Sequence, residues 1–199
     1  MKLDDSHVDI LREIGNIGAG NAATSLSNML SKRIDMNVPE VSLLNYNSII
    51  ESIGGAENVV VGVLVGFEGD IDGVILFLLK KEFVHLVLNT LIGTELGNFD
   101  EVSELEMSAL AEISNIMVSS YVNSISTLTE MRIEVTVPSL NIDMSGALID
   151  AVTAEFSDVA DKVVFIKEKY YCMNETIYSY MLMLPTMTSL KILLEKFGL

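Results

Sequence analysis

Two helical stretches of this sequence each place a carboxylate three residues before a carboxamide: Glu13 and Asn16, then Glu112 and Asn115. An ionised Glu only accepts hydrogen bonds and can meet a cationic group. Asn both donates and accepts without ionising, so it can hold a water. In the first stretch Asp9, Glu13, Asn16 and Gly20 are spaced 4, 3 and 4. At about 100° per residue they fall within a stripe roughly 60° wide. Ser108, Glu112, Asn115 and Ser119 repeat that spacing 99 residues later. A Glu and an Asn three apart on a helix are commonly only a solvated face, and duplication can preserve a structural pair as readily as a site. Asn is nonetheless a mediocre helix former and has some reason to stand there.

Other chemistries find less support. His7 and His85 are far apart, so no metal cluster is implied. Ser108 falls on the stripe but has no histidine at motif spacing, and it reads as a cap or surface residue. Cys172, the single cysteine, stands beside Tyr171 and reads as packing. The tract Gly15-x-x-Gly18-x-Gly20 differs from the G-x-G-x-x-G order of a dinucleotide site and lacks the Lys-Ser/Thr of a P-loop. Each of these glycines costs a helix up to ~1 kcal/mol relative to Ala. Either another helix packs closely on that side, or a partner backbone approaches the stripe.

The elements that must position these residues come in two similar sets. Apolar Ile10, Leu11, Ile14, Ile17 and Leu26 recur at helical spacing, which predicts a helix from about Asp5 to Leu30. Val41 to Leu44 reads as a strand. Val59 to Val65 and Val74 to Leu79, joined by the turn-rich Glu68 to Gly73, read as an antiparallel hairpin. Lys81 to Ile92 reads as a helix ending at Gly93. A second long helix is expected from about Glu101 to Leu128, with Leu105, Leu110, Ile113, Met117 and Tyr121 on its apolar side. Val137-Pro138 follows it as Val38-Pro39 follows the first, again 99 residues apart. Val163 to Ile166 and Ile177 to Leu184 are strand candidates, and Ser189 to Phe197 is a closing helix. Asn141 to Phe156 looks like an insertion without a counterpart in the first half.

These patterns predict one α+β domain made of two repeats, approximately residues 1–99 and 100–199, related by a pseudo-twofold. A mostly antiparallel sheet is expected to bury one face under the long helices, leaving the Glu–Asn stripes outward. No low-complexity linker separates the halves, which favours a shared sheet over beads on a string. A monomer is expected, because duplication already supplies the symmetry of a homodimer.

Composition narrows the function classes. Net charge is −16 and the pI is near 4.3, so the surface repels phosphate backbones and disfavours nucleic acid and anionic membranes. Mean hydropathy is +0.44, yet the apolar runs fall well below the ~18 residues of a membrane-spanning helix. The acidic, polar start is unlike a secretory signal. With one cysteine, a reducing cytoplasm is the expected compartment.

The segment Asp9-x-x-x-Glu13-x-x-Asn16-x-x-x-Gly20-Asn21 resembles the signature of the CheC, CheX and FliY family of chemotaxis phosphatases. Ser108-x-x-x-Glu112-x-x-Asn115 is similar to the second family site, departing where Ser119-Ser120 replace Gly20-Asn21. Two motifs at this separation in about 200 residues match the CheC layout. The resemblance implies a phosphorylated CheY-type response regulator as substrate. Asn16 and Asn115 would position the attacking water, and Glu13 and Glu112 would dock on a regulator lysine, with Asp9, Gly20, Asn21 and Ser108 supporting the motif. It implies no cofactor of the chain's own, since Mg2+ belongs to the regulator. It also implies the receptor deamidase CheD as a partner, for which Asp150 is the candidate contact. Two other functions stay open. One is a non-catalytic adaptor that binds the phosphorylated regulator or CheD. The other is an unrelated α+β enzyme with a Glu base.

Overall fold

The computed structural model describes residues 5–155, 163–173 and 175–197. The chain runs α1 (Asp5–Leu30), β1 (Ile34–Met36), β2 (Glu40–Leu44), α2 (Tyr46–Ile53), β3 (Val59–Gly69), β4 (Gly73–Leu79) and α3 (Lys81–Ile92). The same order then repeats as α4 (Glu104–Thr129), β5 (Ile133–Val135), β6 (Ser139–Met144), α5 (Ser145–Glu155), β7 (Val163–Cys172), β8 (Glu175–Pro185) and α6 (Met187–Lys196). The segment expected to be an insertion is therefore no insertion. It holds the end of β6 and α5, the counterparts of β2 and α2. The eight-residue α2 is short, and its start is set by a cap rather than by a long apolar period: Asn45 Oδ1 accepts from Ser48 N at 3.0 Å.

Duplication extends to the helix ends. Ser31 and Glu130, 99 residues apart, both take left-handed backbone at φ 49° and 56°. Ser27 Oγ donates to Lys32 O, and Ser126 Oγ donates to Met131 O, each at 2.6 Å. These paired bonds satisfy carbonyls just beyond each helix and turn the chain towards β1 or β5. The second long helix starts three residues later than its periodicity suggests, because Ser103 and Glu106 form a reciprocal capping box.

All described strand pairs are antiparallel, and they form one eight-stranded sheet. Its order is β1-β7-β8-β4-β3-β5, with β2 also on β7 and β6 also on β3. Each half thus lends its two short strands to the other half's hairpin, and β4 meets β8 at the centre. The halves share one sheet and cannot be separated without opening it.

One face of the sheet buries Val61, Val63, Phe77, Ile166 and Met181 beneath α1, α4 and α3. The other face carries Val60, Leu76, Phe165 and Leu182 against Ile49 and Ile53 of α2 and Ile149 and Val152 of α5. The helical cover is thus two-sided, because the segment read as an insertion supplies half of the second layer. Leu105 departs from its expected place on the apolar side of α4, being 66% exposed. It lies about 140° round the helix from Leu110, which puts it on the solvent face.

Candidate functional site

α1 and α4 lie side by side on the sheet and run antiparallel. Asn21 Nδ2 donates to Ser124 Oγ at 2.8 Å, and Ser25 Oγ meets Ser120 Oγ at 2.9 Å. Those two contacts are equivalents under the 99-residue repeat, so the pseudo-twofold axis passes between them. Gly18 lets the helices close on each other: a Cβ there would stand 2.3 Å from the Tyr121 ring. Gly15 meets the sheet in the same way, with a Cβ falling 2.8 Å from Val41 Cγ2. Internal packing therefore accounts for two of the three helical glycines. Around Gly20 nothing lies within 4 Å of a Cβ position.

The residues facing α4 (Gly18, Asn21, Ser25) sit roughly 140° round the helix from the Glu13–Asn16 stripe. Each stripe consequently lies on the outer flank of the helix pair, over an edge of the sheet. Asn16 and Asn115 lie about seven residues on opposite sides of the crossing point, which separates them by ~20 Å along the helices. The geometry provides two separate surfaces in place of one shared centre.

Glu13 and Glu112 are exposed, and Asn16 and Asn115 are half-buried. Among the described residues, no side-chain hydrogen bond or ion pair engages these four groups. They project from the two 26-residue helices with their polar atoms free for a partner. Asp9 is exposed and accepts from Arg12 Nη1 at 2.5 Å, so its carboxylate is occupied beside Glu13. Its counterpart Ser108 is exposed and uncharged, and Ala111 stands where Arg12 stands in α1. Gly20 is a half-buried position on the first stripe, with Ser119 its equivalent on the second. Asn21 belongs to the helix seam through its bond to Ser124. Asp150 is exposed on α5, on the opposite face of the sheet, beside the Tyr46 hydroxyl. Burial, together with the bond to Asp150, raises the Tyr46 pKa.

The described residues contain no group of three or more His, Cys, Asp or Glu side chains placed to hold a metal ion. Cys172 is buried, and its burial raises the thiol pKa, a setting opposite to that of a nucleophile. None of the described helices is long and apolar enough to cross a membrane.

Comparison with known proteins places these features. The model of the CheC-like family matches residues 7–43 and 105–142, which are the two stripes with the turns and strands that follow them. The chain is 30% identical over 200 residues to the CheY-P phosphatase CheC of Bacillus subtilis, covering 98% of this chain and 96% of that protein. The chain belongs to the CheC-like family. Another member-like relative is the flagellar motor switch phosphatase FliY of the same organism, 26% identical over 70% of this chain and 36% of its own length. Among solved structures, Thermotoga maritima FliY superposes with a TM-score of 0.78 at 25% identity, covering 100% of this chain and 98% of that one. The FliM middle domain of H. pylori shares the fold, with a TM-score of 0.69 at 12% identity over 98% and 99% of the two chains. CheC-like membership thus rests on both stripes and on the whole chain together.

Sequence reasoning missed the exposure of three large apolar residues. The apolar side expected for Leu105 conflicts with its angular position on the helix, which points to solvent. Val38 and Val137 served only as landmarks of the repeat, yet they are 69% and 90% exposed. Turn flanks carry no periodicity from which exposure can be read.

Proposed function

We propose that this CheC-like chain hydrolyses the phosphoryl-aspartate of a CheY-type response regulator, using each Glu–Asn stripe as a separate site. The observation that carries the reading is the pair of outward, unengaged Glu–Asn sets at equivalent places on duplicated helices. An acyl phosphate is already reactive, so the missing ingredient is a water held in line with phosphorus. The carboxamide of Asn16 or Asn115 accepts from and donates to that water. The water oxygen bonds to phosphorus as the bond to the aspartyl oxygen breaks. The aspartate leaves as carboxylate, and the water proton passes to the departing phosphate.

Glu13 or Glu112 docks on a cationic side chain of the regulator and fixes the angle at which Asn enters. Positioning of this kind that accelerates hydrolysis a hundredfold lowers the barrier by about 2.7 kcal/mol. Mg2+ is carried by the regulator in this reading, and the chain itself acts as a cytoplasmic monomer. Phosphate release from a phosphorylated CheY-type regulator tests it. Asn16→Ala with Asn115→Ala should return the rate to the regulator's own, roughly a hundredfold drop, with an unchanged melting temperature. A double variant as fast as the parent rules the Asn assignment out. Binding by the parent chain without acceleration would instead favour the adaptor reading.

CheD is the second partner in this proposal, with exposed Asp150 on α5 as the contact. That surface lies across the sheet from the stripes, so regulator and deamidase could be held together. Asp150→Lys should abolish co-migration with CheD on size exclusion and leave phosphate release intact. Undiminished co-migration removes Asp150 from the interface.

A further inference from the structure

We infer that Val38, Val137 and Leu105 are apolar anchors that seat the regulator beside the Glu–Asn stripes; this rests on the reading of those stripes as docking sites. A Glu and an Asn cover little surface by themselves. Specific protein interfaces bury about 800 Å² per partner, and the fully desolvated centre of such a patch is apolar. The regulator must therefore touch more than the stripe, and the structure offers large apolar side chains at its margins.

Val38 lies in the corner between β1 and β2. β1 is tied to the end of α1 by Ile34 N donating to Ser27 Oγ at 3.4 Å, and Val41 of β2 lies under Gly15. The Val38-Pro39 corner consequently spans the stretch between those two points, at about the level of Gly20 along the axis of α1. Val137 occupies the same corner between β5 and β6 on the flank of α4. Burying either valine against a partner is favourable in proportion to its exposed area, and at 69% and 90% exposure little of it is covered within the chain.

Leu105 adds a feature to the second site alone. It precedes Ser108 by three residues and Glu112 by seven, within roughly 20° of Glu112 around the helix. It therefore continues the stripe Ser108, Glu112, Asn115 and Ser119 by one turn. The equivalent residue on α1 is Ser6, which is polar. The first site has a different asset in Gly20, where an absent side chain leaves the helix surface open to close approach. A regulator face that fits both sites has a cationic side chain for the Glu, the phosphoryl-aspartate opposite the Asn, and apolar side chains on the rim facing the valine corner.

The test measures phosphate release against the concentration of phosphorylated regulator, one site at a time. In the full chain carrying Asn16→Ala, which leaves the second site, Val137→Asp with Leu105→Asp should raise KM by about tenfold with kcat unchanged. Tenfold corresponds to about 1.4 kcal/mol, the lower end of what burial of a single such side chain contributes. In the chain carrying Asn115→Ala, Val38→Asp should raise KM in the same direction by a smaller factor. Met173→Asp, in the exposed turn between β7 and β8, is the control and should alter neither constant. Val38→Thr and Val137→Thr keep the side-chain shape and should raise KM less, which guards against misfolding of the Asp variants. Unchanged KM in the Asp variants, or a fall in kcat at constant KM, overturns the inference. If the Asn16/Asn115 double variant retains full activity, it is the stripe reading that fails, and the valine result then has no bearing on it.

Discussion

At one register position the first hairpin pairs Val65 with Ile75, whereas the second pairs Glu168 with Ser179. The helix above differs accordingly: Ala22 on α1 and Tyr121 on α4 are equivalents under the repeat, and both are buried. Tyr121 OH donates to Glu168 Oε1, and Ser179 Oγ donates to Oε2. Phe77 of β4 meets the Tyr121 ring edge-on at 5.9 Å. One half thus closes its core with small apolar groups, and the other with a ring and a buried carboxyl. Burial raises the Glu168 pKa, and the bonds from Ser179 and Tyr121 oppose that rise only in part.

The lesson is that a duplicated backbone can tolerate unequal contents provided volumes are traded across the seam. Gly18 makes room for Tyr121. At the equivalent pair of positions the large residue is Met117 and the small one Ala22, so α4 supplies the large residue and α1 the small one at both places. The same asymmetry continues outward to the stripes, where Gly20 and the Asp9–Arg12 pair face Ser119 and the uncharged Ser108 with Ala111.

Breaking the trade at its large member should have the largest effect. Tyr121→Ala removes a ring that is 1% exposed and strips a donor from Glu168. A loss of about 3–5 kcal/mol in urea-denaturation stability is expected. Gly18→Ala attacks the same contact from the other helix and should cost ~1–3 kcal/mol, although Ala is ordinarily the better helix former. The two losses should fall short of additivity when combined, since the smaller residue at 121 relieves the crowding at 18. Strict additivity in the double-mutant cycle would mean that the seam is not the shared cause.

The buried carboxyl sharpens the comparison with a smaller, pH-dependent signal. Its pKa is higher folded than unfolded, so the folded state binds the extra proton. Stability then falls as pH rises above the ordinary Glu value of 4.5 towards the folded value. The parent minus Glu168→Gln difference in stability should decline over that interval. Subtracting the variant also removes the general repulsion of a chain with net charge −16. A pH-independent difference would show that Glu168 holds no extra proton in the fold.

Much of this molecule was legible in the residues themselves. The long helices follow from 3.6-residue periodicity and the β3–β4 hairpin from a valine-rich run with a turn signal. The duplication follows from the 99-residue recurrence of Glu, Asn and Val-Pro, and the stripe geometry from helical angles alone. The start of α4, expected at about Glu101, was missed by three residues although Ser103-x-x-Glu106 is a capping-box spelling. α2 and α5 escaped because a short helix carries too few turns for periodicity to distinguish it from a loop, so α5 read as an insertion.

Other features belong to the tertiary structure alone. Sequence spacing cannot decide that β1 and β2 pair with the opposite half's hairpin, since strand exchange depends on which edge is free when the sheet closes. Nor can it decide that Gly15 and Gly18 serve packing while Gly20 faces open space. A helix pattern reports the angle at which a residue points. What lies at the end of that direction is set by chain segments far away in sequence, and that is why the seam, the buried Glu168 and the exposed valine corners emerged only from the fold.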